Sequence, residues 1–168
     1  IVLNRFTKFD IATAIAVLFH TIGLVGLLCF DKGFFLAATP INLLLSFALL
    51  IWTQTGKNAY FFLFLLICFA VGIVVEIIGI NTGILFGDYT YGDVLGPKVQ
   101  HVPVLIGVNW FIIIYCSGIG IHTLLMKAIN RIAADTGKTP MALKALSVIV
   151  DGATLAVFFD WLMEPVAV

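Results

Sequence analysis

The chain has 168 residues, of which 62% are hydrophobic and 11% charged, with nine basic and nine acidic side chains and a mean hydropathy of +1.16. Soluble domains carry about 25% charged residues, so this composition excludes a water-solvated globular domain and makes the bilayer the solvent for most of the chain. The formal net charge of zero offers no basic surface for nucleic acid, and none is expected as a partner.

The first residue is Ile1 and no signal-peptide pattern marks the start, so the numbering is expected to belong to a fragment or processed chain. Five apolar stretches then follow, at about 10–30, 33–54, 59–80, 103–126 and 141–163. Each approaches the ~20 residues that cross a bilayer at about 1.5 Å per residue. The second carries Pro40 near its start, where a missing N–H is best tolerated. The fifth is weaker, interrupted by Asp151 and Asp160. The runs are too long for strands and do not alternate. The expected fold class is therefore all-α: a polytopic transmembrane helical bundle of about five spans, forming one integral-membrane domain over 1–168.

Orientation follows from the basic residues. A cytoplasmic N-terminus places Arg5, Lys8, Lys57, Lys127, Arg131, Lys138 and Lys144 inside, which is seven, and only Lys32 and Lys98 outside, which is two. That bias predicts a multi-pass protein of the cell's inner (cytoplasmic) membrane with its N-terminus inside. The same topology places Glu76, the 81–102 connection, Asn109, Trp110, Asp160 and Glu164 near the outer half of the membrane. His122 and Asp151 fall in the inner half, where an interhelical hydrogen bond between them is the expected role.

An ionisable group within a span costs about 2.5–3.5 kcal/mol on insertion scales and usually faces a protein interior. Glu76 is the sharpest case; its ordinary reading is a carboxyl accepting a capping or interhelical hydrogen bond. Asp160 and Glu164 stand four apart, on one helical face with no flanking cation, unless Glu164, next to Pro165, has already left the span. Gly79, Gly83, Gly87, Gly92 and Gly96 are interspersed with Asn81, Thr82, Asp88 and Tyr89. The mixture predicts a helix ending near 79–83 and an ordered, close-packed glycine- and aromatic-rich loop with some positive φ angles, joining the third and fourth spans. The rings of Phe86, Tyr89 and Tyr91 suit a membrane interface, and their faces would also steady a cation. The three cysteines (Cys29, Cys68 and Cys116) are widely spaced in or beside apolar runs, and the three histidines are scattered, so neither a disulfide framework nor a metal site is expected.

The run E-I-I-G-I-N-T-G-I-L-F-G-D-Y-T-Y-G-D-V-L-G-P-K, then V-P-V-L-I-G-V-N-W, and later F-F-D-W-L-M-E-P-V-A, resembles the integral-membrane carotenoid biosynthesis family. Its members include carotenoid 1,2-hydratases and bisanhydrobacterioruberin hydratases. The resemblance is dense over 76–110, with a second block over 160–167. It implies cofactor-independent hydration of the terminal C1=C2 double bond of an acyclic carotenoid end group. Family members typically continue beyond the second block, so the chain is expected to be truncated at its C-terminus.

Such a reaction needs a buried carboxylic acid to deliver a proton, and groups that stabilise the developing cation. Glu76, Asp160 and Glu164 are the candidate catalytic acids. Phe86, Tyr89, Tyr91, Asn109, Trp110 and Trp161 are the candidate substrate-binding residues. The expected partners are a lipophilic polyene and the bilayer, with no cofactor and no metal; the oligomeric state is left open. Three other readings fit the same residues: a related carotenoid cyclase, a small proton-coupled transporter, and a helical subunit without chemistry of its own.

Overall fold

The computed structural model describes residues 6–85, 87, 89–132 and 141–163. Six α-helices occur among them: α1 (Lys8–Cys29), α2 (Lys32–Ala37), α3 (Thr39–Thr53), α4 (Ala59–Thr82), α5 (Leu105–Ile132) and α6 (Met141–Met163). Two short strands, β1 (Lys98–Val99) and β2 (Val102–Pro103), form an antiparallel ribbon between α4 and α5. The chain is an all-α polytopic bundle in class. Four helices (α1, α4, α5 and α6) are long and apolar enough to cross a membrane, and α3 is a shorter apolar helix. The chain divides into two compact units, Ile1–Asn109 and Trp110–Val168, the division falling inside α5.

In the first unit, polar side chains set the helix starts. Thr7 and Asp10 form a capping box: Thr7 Oγ1 accepts from the Asp10 amide at 3.2 Å, and Asp10 Oδ2 accepts from the Thr7 amide at 2.9 Å. Asn58 caps α4 by accepting from the Phe61 amide at 3.0 Å. The apolar stretch 33–54 departs from the expected single span. It is a six-residue helix and a 15-residue helix that meet at Ala38. The cause is Pro40: with no N–H to donate and a ring that would clash with the carbonyl four residues back, it is tolerated in the first turn of a new helix but not inside a continuing one. At about 1.5 Å per residue, α3 alone is roughly 22 Å long, short of the ~30 Å hydrocarbon core. Both α2 and α3 pack against α1, and the Phe35 ring occupies the space that a side chain at Gly26 would need.

The third predicted span ends where expected. Gly83 takes φ 64° and its amide donates to the Gly79 carbonyl at 2.8 Å, so the last turn of α4 is closed by a left-handed residue. Asn81 Nδ2 and Thr82 Oγ1 each donate back to a carbonyl four residues earlier, both at 2.7 Å. The expectation of a close-packed glycine loop is corrected. Gly87 and Gly96 have positive φ, yet a Cβ at 87, 92 or 96 would meet nothing within 4 Å. Gly87 and Gly96 shape the backbone, and none of the three brings it close to a neighbour. Close approach occurs at Gly107 on α5, where a Cβ would lie 2.6 Å from the Phe69 ring of α4.

The ribbon pairs Lys98 with Pro103 and Val99 with Val102. Val102 and Pro103 are fully buried, and β2 packs against α4. Burying a valine side chain is worth about 1.5–3 kcal/mol, which anchors the ribbon. The fourth predicted span, α5, starts at Leu105, two residues later than expected, because 102–103 are committed to the ribbon.

In the second unit, α6 spans the predicted 141–163. A Cβ at Gly152 would lie 3.4 Å from the Gly118 Cα of α5, so these two helices approach through small residues. Phe111, Ile113 and Ala156 are buried. Both His122 and Asp151 are exposed, and no hydrogen bond joins them, which corrects that expectation. Large apolar side chains, Leu28, Leu66 and Ile149 among them, are left exposed in both units, as suits helices long and apolar enough to cross a membrane.

The ribbon turn yields a prediction. Its two central residues, Gln100 (φ 46°) and His101 (φ 72°), both lie in the left-handed region, as a two-residue type I′ turn demands. Neither is glycine, and each such residue costs about 1–2 kcal/mol. Replacing the pair by Asn-Gly should relieve roughly 1.4 kcal/mol or more, slowing local opening about tenfold. Hydrogen exchange at the Val104 amide, which donates to the Pro97 carbonyl at 2.9 Å, reads this out. Unchanged or faster exchange there would show that the native pair carries no strain.

Candidate active site

Glu76 lies in the penultimate turns of α4, on an otherwise apolar helix, and is 4% exposed. A buried carboxyl must be hydrogen-bonded or it destabilises the fold. Two phenols from the following loop meet that need at one oxygen. The Tyr89 hydroxyl donates to Glu76 Oε2 in a short contact, and the Tyr91 hydroxyl donates to the same oxygen at 3.0 Å. The two rings stand edge to face, with centroids 5.4 Å apart. Burial, with the Glu76 charge adding to it, pushes the Tyr91 phenol far above its ordinary range, so Tyr91 stays a neutral hydroxyl donor at any physiological pH.

The loop reaches this position by three devices: the Gly83 cap turns the chain out of α4, a 3-10 turn at Asp93–Leu95 packs beside α3, and the ribbon anchors on α4. Lys98 links them. Its ammonium donates to the Tyr91 backbone carbonyl at 2.8 Å and to Asp93 Oδ1 at 2.7 Å. That ammonium holds the exposed Asp93 carboxyl below its usual range, chiefly through the hydrogen bond and then through its charge. Asn109 is half-buried in the first turns of α5.

The structure therefore brings together Glu76, Tyr89 and Tyr91 of the sequence-derived candidates. Phe86 and Glu164 lie outside the described residues. Trp110, Asp160 and Trp161 belong to the second unit, where Trp110 and Asp160 are half-buried. Trp161 is 63% exposed and lines an open, shallow groove on α6 with Ala153, Thr154, Val157 and Phe158.

Two features escaped the sequence. The tyrosines entered it as ring faces, whereas their hydroxyls are what meet the acid. Lys98 entered it only as a topological charge, and nothing local marks it as the partner of Tyr91, seven residues back.

What the arrangement offers chemically is a buried carboxyl oxygen with two neutral hydroxyl donors fixed on it. Such an oxygen can exchange a proton with a bound water or steady a positive charge that develops beside it. Among the described residues there is no cluster of three or more histidine, cysteine, aspartate or glutamate side chains able to hold a metal ion.

Comparison with known proteins adds the family. The model of the carotenoid biosynthesis protein family matches residues 36–168, which includes the Glu76 helix, its loop, the ribbon and both helices that follow. No curated protein and no solved structure matches the chain. With the family model covering more than half of its length, the chain belongs to the carotenoid biosynthesis protein family.

Proposed function

We propose that this protein is a carotenoid 1,2-hydratase, adding water to the terminal double bond of an acyclic carotenoid end group. The observation that carries this reading is the buried Glu76 carboxyl gripped by two phenols within the stretch that most resembles the hydratases. In the reaction a proton adds to the less substituted alkene carbon, C2, leaving a tertiary cation at C1. A water oxygen bonds to C1 and releases a proton, so the net change is one water added, with no electron transferred.

Glu76 suits the second half of this sequence. With both phenols donating to Oε2, that oxygen is held as an acceptor, able to steady the cation and to take up the proton from water. The neutral tyrosines add no positive charge that would oppose the cation. The proton for C2 then comes from a second carboxyl, for which Asp160 on α6 is the candidate. Glu164 keeps its place as the alternative acid. Asn109, Trp110, Trp161 and Phe86 are proposed to contact the polyene.

The test is the carotenoid profile of a host that makes an acyclic carotenoid, with and without the protein. Glu76→Gln should leave the protein in the membrane and lower the hydroxylated product by about 10²–10⁴-fold. Asp160→Asn should do the same, and Tyr91→Phe should give a smaller loss. Near-normal product from Glu76→Gln at matched expression would remove Glu76 from the chemistry. Ring formation without gain of water would replace hydration by cyclisation.

The orientation is proposed on the seven-to-two distribution of basic residues, with α2 and α3 together carrying the chain across. Single cysteines at Lys57 and Asp93, in a background lacking the three native cysteines, report it. Impermeant reagent applied from outside should label position 93 and not 57. The reverse pattern would overturn the proposed orientation.

A further inference from the structure

The structure assigns Lys98 as a positioning residue: its ammonium, by holding the Tyr91 backbone carbonyl, keeps the Tyr91 hydroxyl on Glu76. The inference rests on the reading of Glu76 as a reacting carboxyl. It concerns a residue that touches neither the acid nor, by its position, the reacting atoms.

The argument is one of connectivity. Tyr91 sits in a loop whose nearby glycines supply no packing, since side chains at Gly87, Gly92 or Gly96 would meet open space. Backbone in such a loop has many arrangements, and fixing one residue of it costs about 1–2 kcal/mol. Something rigid must select the arrangement that delivers the hydroxyl. Lys98 is attached to such an element. It pairs with Pro103, and Val102 and Pro103 are fully buried against α4, the helix that carries Glu76. The path from Glu76 through α4 to the ribbon, along Lys98 to the Tyr91 carbonyl and back through the ring to Glu76 is closed. Removing Lys98 opens it at the loop.

Lysine chemistry fits the task. The ammonium has three donors and no acceptor, and two of its bonds are to the carbonyl and to Asp93. A charge-assisted bond to a carbonyl is stronger than a neutral one. The side chain is 25% exposed while Asp93 is fully exposed, so the charge is balanced at the water side and not at the buried acid.

Two readouts test this. The first is product yield, in the same carotenoid-accumulating host, from the full chain carrying Lys98→Met, Lys98→Arg, Tyr91→Phe or the Lys98→Met/Tyr91→Phe pair. Misplacing a group by about an ångström costs up to about 10²-fold, so Lys98→Met should lower product roughly ten- to a hundredfold. Lys98→Arg, which keeps charge and donors, should restore most of it. In the Tyr91→Phe background Lys98→Met should have no further effect, because the hydroxyl it positions is gone. An additive loss, or no loss from Lys98→Met while Glu76→Gln abolishes product, overturns the assignment and leaves the role of Glu76 standing.

The second readout does not depend on activity. With 3-fluorotyrosine in place of the four tyrosines, fluorine NMR of the protein in nanodiscs gives a Tyr91 resonance, identified by its absence in Tyr91→Phe. Lys98→Met should move that resonance as Glu76→Gln does, while leaving Tyr60 in place. A Tyr91 resonance that Lys98→Met leaves unmoved overturns the assignment. If Glu76→Gln keeps normal product, the hydration role of Glu76 fails, and the fluorine result alone decides whether Lys98 holds Tyr91.

Discussion

A carboxyl buried near the end of an apolar helix constrains everything around it. Glu76 is almost fully shielded, and an acid in such surroundings is tolerated only when hydrogen-bond donors reach it. Here two donors come from residues 13 and 15 positions further along the chain. The helix must therefore stop and the chain must fold back. Gly83 supplies the stop with a left-handed conformation that costs a side-chain-bearing residue about 1–2 kcal/mol. The ribbon supplies the anchor, and its fully buried Val102 and Pro103 lie against the same helix. Seen this way the loop is the completion of α4's hydrogen bonding.

The choice of donors bears on the chemistry. A lysine or arginine placed on the acid would have satisfied it too, at the cost of a positive charge where the proposed hydration forms a carbocation. At 4 Å two unit charges interact by about 4 kcal/mol even at an effective dielectric of 20, enough to oppose protonation of an alkene. Tyrosine hydroxyls satisfy the acid as neutral donors, and burial keeps the Tyr91 phenol from ionising. The one ammonium seen in the loop, Lys98, is directed at a backbone carbonyl and an exposed aspartate. That separation of charge from the acid is what a cation-forming reaction favours, and it complements membership of a carotenoid biosynthesis family.

Much of this was legible in the sequence, because long apolar runs and isolated polar residues are local signals. The bounds of α4 and α6 follow from hydropathy, and Glu76 stands out as an acid in an apolar run. Pro40 was legible but misweighted: it starts a new helix at α3, where hydropathy alone reads one span. The glycines were half legible. Their resistance to helix at Gly83 could be read from the polar residues among them, but close packing occurs at Gly26, Gly107 and Gly152, inside helices where the apolar background conceals it. The tyrosine hydroxyls and Lys98 could not be read at all. Their partners are set by the path of the loop, and that path depends on where the ribbon finds burial. No spacing rule encodes it.

The density of the resemblance over 76–110 acquires a physical reason from this. The acid, its two phenols, the lysine that holds one of them, the left-handed ribbon turn and the buried strand depend on one another, all between residues 76 and 103. A unit of mutually dependent polar contacts tolerates few changes, because replacing one member leaves another unsatisfied in an apolar setting. Helices α1 to α3 meet a weaker demand. They need to be apolar and to pack, and for that volume-conserving exchanges among hydrophobic residues usually suffice. Hydrophobicity alone therefore describes the first two apolar stretches of this chain, while the 76–110 segment has a fixed order of polar residues.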